Sequence, residues 1–178
     1  MRSRHSLLVA SLALLSLAAC GQTTRPDGGK GLLPVGSSAP DITAEDPAQH
    51  EVKLSSLRGK PVVVYFYPKD GTPGCTKEAC AFRDSWKKYE TANVGIIGVS
   101  QQSVERHRRF QQEEHLPFAL AADTKGDVGK AYGVKDGIIG YERVSFLIDK
   151  EGKVAHVWPD VDPGTHADQV LNEATALK

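Results

Sequence analysis

The chain has 178 residues, with 22 Lys and Arg against 22 Asp and Glu, and 40% of its residues are hydrophobic. One globular domain is the expectation at this length, and the ordinary composition excludes a disordered, collagen-like or disulfide-dense chain. A formal net charge of zero, with no extended Lys/Arg block, excludes an electrostatic footprint for nucleic acid.

At the N-terminus, Arg2, Arg4 and His5 precede an apolar run over residues 7–19. A bilayer takes about 20 apolar residues, so the run is too short to span one, but it suits the core of a signal peptide. Residues 1–19 are read as that signal. The run ends Leu17-Ala18-Ala19-Cys20, which resembles the bacterial lipoprotein box. There the cysteine is acylated and becomes the mature N-terminus, which implies an anchor on Cys20 and a place at the bacterial cell envelope, facing the periplasm or the exterior. The alternative is an ordinary secretory signal with an incidental cysteine. Residues 20–35 are rich in Gly and Thr and contain Pro26 and Pro34. They read as a flexible tether with an r.m.s. reach of roughly 20 Å.

From residue 36 to 178 the pattern is α/β. Val62 to Phe66 is an uninterrupted β-branched and aromatic run, as expected of a strand covered on both faces. Residues 94–99 form a second such run and residues 118–122 a weaker third. Between the first two, Cys75, Ala79, Phe82, Trp86 and Tyr89 recur at helical spacing. Residues 103–115 read as another helix, capped by Ser103. Val144 to Ile148 and Val154 to Trp158 flank the turn Asp149-Lys150-Glu151-Gly152, a hairpin signal. Ala167, Val170, Leu171, Ala174 and Leu177 line a last amphipathic helix. This order predicts a thioredoxin-like fold, a central mixed sheet flanked by helices. Residues 36–61 form an N-terminal extension to it, and a helical insert lies near 126–132.

The chemistry gathers where the first strand meets the first helix, in the stretch from Tyr67 to Cys80. A cysteine in a helix's first turn feels the positive end of the macrodipole and unpaired backbone N–H groups, which favour a thiolate. Cys75 is so placed, behind Pro73 and Gly74. Cys80, five residues on, offers a partner for a sulfenic acid.

Pro68-x-x-x-Thr72-x-x-Cys75 resembles the active-site motif of the peroxiredoxins. Thr72-Pro73-Gly74-Cys75-Thr76-x-Glu78-Ala79-Cys80-x-Phe82-Arg83-Asp84 is similar to their Q-type branch, the bacterioferritin-comigratory proteins. The likeness extends to Val35-Gly36-x-x-Ala39-Pro40-Asp41, His107-x-x-Phe110, Leu116-Pro117-Phe118 and the stretch from Arg143 to Asp149. Gln101-Gln102 and Ser145 depart from it at positions without a catalytic role. The resemblance implies a thiol peroxidase in which Cys75 is peroxidatic and Cys80 resolving. Thr72 and Arg143 would bond and orient the peroxide, and Pro68 would shield the pocket. It further implies hydroperoxide substrates, a thioredoxin-like dithiol reductant, no cofactor and no metal. A monomer is expected.

Other readings compete. Cys75 and Cys80 could form a structural disulfide. A zinc site lacks two further ligands. Arg106-His107-Arg108-Arg109 reads as a solvated helix face, His156 as an ordinary strand residue, and Trp86 and Trp158 as packing. A thiol–disulfide exchanger would normally carry Cys-x-x-Cys. A copper-binding assembly lipoprotein would pair two cysteines with a distant histidine such as His156 or His166. If both cysteines react, the helix must open. Residues five apart on a helix have Cα atoms roughly 8.7 Å apart, beyond the about 7 Å a disulfide tolerates.

Overall fold

The structure is a computed structural model that describes residues 23–177. Two short strands, β1 (Ala44–Glu45) and β2 (Glu51–Val52), lead through a 3-10 turn at Leu54–Leu57 into β3 (Val62–Phe66). Then follow α1 (Pro73–Asp84), α2 (Trp86–Thr91), β4 (Gly95–Ser100), α3 (Val104–Glu113), β5 (Ala119–Ala122) and α4 (Asp127–Tyr132). The small strands β6 (Asp136–Gly137) and β7 (Gly140–Tyr141) precede β8 (Val144–Ile148), β9 (Val154–Trp158) and α5 (His166–Ala176).

The main sheet has the order β2-β1-β5-β4-β3-β8-β9. β3, β4 and β5 run parallel, while β8 pairs antiparallel with both β3 and β9. This is the mixed, helix-flanked thioredoxin-like sheet that the element order predicts. Every residue of β3, β4 and β8 is buried, which explains their continuous apolar runs. Alternation sorts the side chains onto two faces. Val63, Tyr65 and Tyr67 pack with Cys75, Ala79, Phe82, Tyr89, Phe110 and Val170 on the face covered by α1, α2, α3 and α5. Val62, Val64 and Phe66 pack with Ile42, Tyr132 and Phe146 on the other.

The β8–β9 hairpin turns at Asp149 to Gly152, where Gly152 takes φ 81° and its N–H donates to Asp149 O at 2.9 Å. The stripe from Cys75 to Tyr89 is carried by two helices rather than one. Ser85, at φ −90° and ψ 0°, breaks the path between α1 and α2. Asp84 and Ser85 carry short polar side chains that favour helix ends, yet the stripe keeps its register across them.

Within the segment read as a tether, the described residues make specific contacts. Thr24 and Lys30 form a β-bridge around a turn. The guanidinium of Arg25 is buried beneath that turn and donates to Gly31 O at 2.8 Å and Leu32 O at 3.2 Å. Leu33 enters the core, and its N–H donates to Tyr132 O at 3.0 Å. One apolar anchor and one arginine that satisfies several carbonyls order a segment whose composition reads as linker. Residues 1–19 and Cys20 lie outside the described residues.

Candidate active site

β3 ends one residue before Tyr67, and the loop to α1 brings Pro68, Thr72 and Cys75 to the carboxyl end of the sheet. Thr72 is the N-cap of α1, with extended backbone, and Pro73 occupies the first turn, where its missing N–H costs nothing. The helical ladder starts with Thr76 N donating to Thr72 O at 2.8 Å. The N–H groups of Gly74 and Cys75 therefore stand outside it, at the positive end of the helix. The Thr72 hydroxyl does not cap the helix. It donates to Lys69 O at 3.0 Å, which leaves its lone pairs to accept a proton donor from a ligand.

Cys75 is 2% exposed. Arg143, which immediately precedes β8, reaches across the sheet so that Nη2 donates to Cys75 Sγ at 3.3 Å. Its Nη1 pairs with Glu78 Oε2, one turn further along α1. Gly74 makes room for this: a Cβ there would stand 3.3 Å from Arg143 Nη2. Glu78 is fully buried, and its Oε1 has no partner among the described residues. Burial pushes the Glu78 carboxyl up to about 7, against the pull of Arg143. Burial also works against the guanidinium, but Glu78 and Cys75 outweigh it and hold Arg143 above its ordinary value.

Pro68 is half-buried beside the β6–β7 hairpin. Gly140 passes so close that a Cβ there would lie 2.1 Å from Pro68 O. A buried network beneath the loop fixes its path. Tyr67 OH donates to Asp70 Oδ1 at 2.7 Å, and His107 Nδ1 lies 2.8 Å from Asp70 Oδ2. His107 Nε2 faces Ser100 Oγ at 3.4 Å and Ala121 O at 3.3 Å. The run from Arg106 to Arg109 is thus only partly a solvated face. Arg106 and Arg109 are exposed, His107 is fully buried, and Arg108 donates to Pro47 O at 2.9 Å.

Cys80 is half-buried and its thiol donates to Glu114 Oε2 at 3.3 Å. Cys75 and Cys80 are both free thiols, so the structure holds no disulfide between them. His156 stacks on Trp158 with ring centroids 4.2 Å apart. His166 is buried, with Nε2 2.8 Å from Ser145 Oγ, and burial pushes it down to about 4.

Sequence reading singled out Cys75, Arg143, Thr72 and Pro68. The structure brings Cys75 and Arg143 into contact and sets Thr72 and Pro68 on the loop before them, and it places Cys80 on the same helix, turned away. Reading by motif left Glu78 without a role, although its position three residues after Cys75 puts the two on one helical face. Asp70, Ser100 and Glu114 were not legible, because each acts through a partner distant in sequence.

The AhpC/TSA family model matches residues 35–157. A putative peroxiredoxin bcp of Coxiella burnetii is 42% identical over 146 residues, covering 78% of this chain and 97% of that protein. Peroxiredoxin Bcp of Bacillus subtilis is 40% identical over 146 residues, covering 78% and 93%. Among solved structures, peroxidoxin BcpB from Mycobacterium tuberculosis superposes with a TM-score of 0.77 at 32% identity, covering 82% of this chain and 99% of that one. Peroxiredoxin Q of Xanthomonas campestris gives 0.74 at 31%, covering 82% and 97%.

Proposed function

The chain belongs to the AhpC/TSA family, and on that premise we propose a cycle in which Cys75 is the peroxidatic cysteine and Cys80 resolves it. The protein is a thiol-dependent peroxidase, as its relatives on the Bcp and Q branch are. The Cys75 thiolate attacks a hydroperoxide: an S–O bond forms, the O–O bond breaks, and the expelled alkoxide or hydroxide takes up the proton that the thiol gave up on ionising and leaves as alcohol or water. The Cys80 thiolate then attacks the Cys75 sulfenic sulfur: the S–S bond forms as the S–O bond breaks, and the departing hydroxide takes up the proton that Cys80 released and leaves as water. A thioredoxin-like dithiol restores both thiols with two electrons and two protons.

The observation that carries this reading is the 3.3 Å contact from Arg143 Nη2 to Cys75 Sγ at a helix N-terminus. A guanidinium beside the sulfur meets the peroxide oxygen on which charge develops, and such donors stabilise the transition state more than the ground state. Thr72 accepts the peroxide O–H, Glu78 holds Arg143 in place, and Pro68 keeps water from the sulfur. Both cysteines lie on one helix, so the cycle needs no second subunit, and we read the working unit as a monomer. One equivalent of hydroperoxide should convert the wild type to a Cys75–Cys80 disulfide, seen by mass spectrometry of peptides. Cys75→Ser should consume none, while Cys80→Ser should stop after one turnover as the sulfenic acid, which a second equivalent of hydroperoxide carries to sulfinic acid. Steady turnover by Cys75→Ser would refute the assignment.

Cys20 completes the reading as a lipid-acylated N-terminus that holds the protein at an envelope membrane, facing the periplasm or exterior. With residues 24–35 packed on the domain, residues 20–23 could bridge at most about 14 Å even when extended. The reductant would then be an envelope dithiol protein. Cys20→Ala should release the protein from membranes or stall its maturation. A wild-type chain recovered wholly in the soluble fraction would defeat the anchor.

A further inference from the structure

Cys80 is held away from Cys75 by a contact that the cycle described above does not use. Its thiol donates to Glu114 Oε2 at 3.3 Å, and Glu114 is the residue that closes α3. The backbone carbonyl of Glu114 accepts Arg83 Nη1 at 2.7 Å. Arg83 Nη1 also lies 3.9 Å from the Glu114 carboxylate. Two hydrogen bonds three residues apart on α1 thus converge on one residue of another helix. We propose that Glu114 is a positioning residue for the resolving step, a latch that holds the Cys80 thiol on folded α1 and sets the lifetime of the Cys75 sulfenic acid.

The latch rests on the assignment of Cys75 and Cys80 as the reacting pair. The two sulfurs cannot join on an intact helix, because five residues of α1 separate their Cα atoms by roughly 8.7 Å. Resolution therefore begins with opening of α1 through residue 80, and that opening must break the bond to Glu114. A carboxylate only accepts hydrogen bonds, so Cys80 keeps its proton while latched, and a thiol is not the nucleophile. The charged groups facing the sulfur are Arg83 and Asp84 on α1 and Glu114 at the end of α3. Burial and then the Glu114 hydrogen bond push the Cys80 thiol up, and Arg83 opposes them without cancelling them.

Once α1 opens, Cys80 leaves Glu114 behind on α3 and ionises in solvent. Its thiolate attacks the Cys75 sulfenic sulfur. The S–S bond forms as the S–O bond breaks, and the departing hydroxide combines with the proton Cys80 released to give water. While the latch holds, a second hydroperoxide can reach the sulfenic acid and carry it to sulfinic acid. Glu114 therefore lowers both the speed of resolution and the resistance to overoxidation.

Glu114→Gln preserves size and an accepting oxygen but removes the charge that strengthens the bond. Disulfide formation should be followed by rapid quench after single-turnover oxidation with hydrogen peroxide, from pH 6 to 8.5, in both full-length proteins. The variant should resolve roughly tenfold faster, the difference between a charged and a neutral acceptor. The gain should be uniform across pH, because the latch acts before the thiol ionises. The peroxide concentration that gives half sulfinic acid should rise by a similar factor. An unchanged rate would overturn the latch, and a slower rate confined to low pH would make Glu114 a proton acceptor instead. If the wild type forms sulfenic acid but no Cys75–Cys80 disulfide, the resolving assignment fails, and the latch falls with it.

Discussion

Arg143 donates to the sulfur of Cys75 at 3.3 Å although 68 positions separate the two residues in sequence. The other arm of the same guanidinium pairs with Glu78. One planar, always-charged group thus spans two positions on α1, one reactive and one buried, and ties the helix to the strand beside β3.

Arg143→Lys keeps the charge but loses the fork, and a single ammonium cannot serve Cys75 and Glu78 in this geometry. Oxidation of Cys75 should slow by about 10²–10³, the scale of one lost transition-state donor. The second-order rate constant with hydrogen peroxide at pH 7 measures this. A value within twofold of wild type would remove Arg143 from the chemistry.

The active-site helix should open on oxidation. In the reduced protein α1 runs unbroken from Pro73 to Asp84. A Cys75–Cys80 bond must melt its first turns, losing backbone hydrogen bonds worth about 1 kcal/mol each. Amide exchange from residue 75 into the low 80s should accelerate at least tenfold in the disulfide form, with α5 unchanged. Equal protection in both redox states would contradict the geometry.

Two buried groups pull stability in opposite directions with pH. Burial raises Glu78 from 4.5 to about 7, so the folded chain binds a proton the unfolded chain has released. Its contribution to stability therefore falls as pH rises between those values. Burial lowers His166 from 6.5 to about 4, so the folded chain refuses a proton that the unfolded chain takes. That contribution is lost as pH falls through the window. Between pH 7 and 5 each amounts to about 1–2 kcal/mol, and in the wild type they offset. Glu78→Gln should lose stability on acidification and His166→Gln should gain it, as read from urea midpoints. Three parallel pH profiles would show that neither group titrates as argued.

Gly140→Ala tests how far the β6–β7 hairpin positions the catalytic loop. Gly140 has φ +126°, and a Cβ would fall 2.1 Å from Pro68 O, a backbone atom that cannot swing aside. The substitution should cost about 1–3 kcal/mol and slow Cys75 oxidation by displacing Pro68. Gly36→Ala, at φ +88° with no atom within 4 Å, isolates strain from collision. It should lower the melting temperature but leave oxidation unchanged. Equal oxidation rates in both variants would mean that the hairpin does not set the loop.

The sequence by itself determined what short-range physics dictates. The β-branched run from Val62 to Phe66 admits only a doubly covered strand, and Asp149 to Gly152 admits a tight turn. The spacing of Cys75, Ala79, Phe82 and Tyr89 gives one buried helical face, and Pro73 marks where that face begins. Each signal is written within a few residues, because strand alternation, helix period and turn geometry are properties of neighbours. The motif from Pro68 to Cys75 was legible for the same reason. Tertiary structure alone decided which distant side chains meet. Leu33 anchors a segment whose Gly and Thr content reads as tether, His107 turns inward to Asp70 from a basic run, and Glu114 closes on Cys80 from another helix. Those pairings depend on how the sheet registers β3 between β4 and β8, and on the fact that a buried polar group must find its partner wherever packing leaves one.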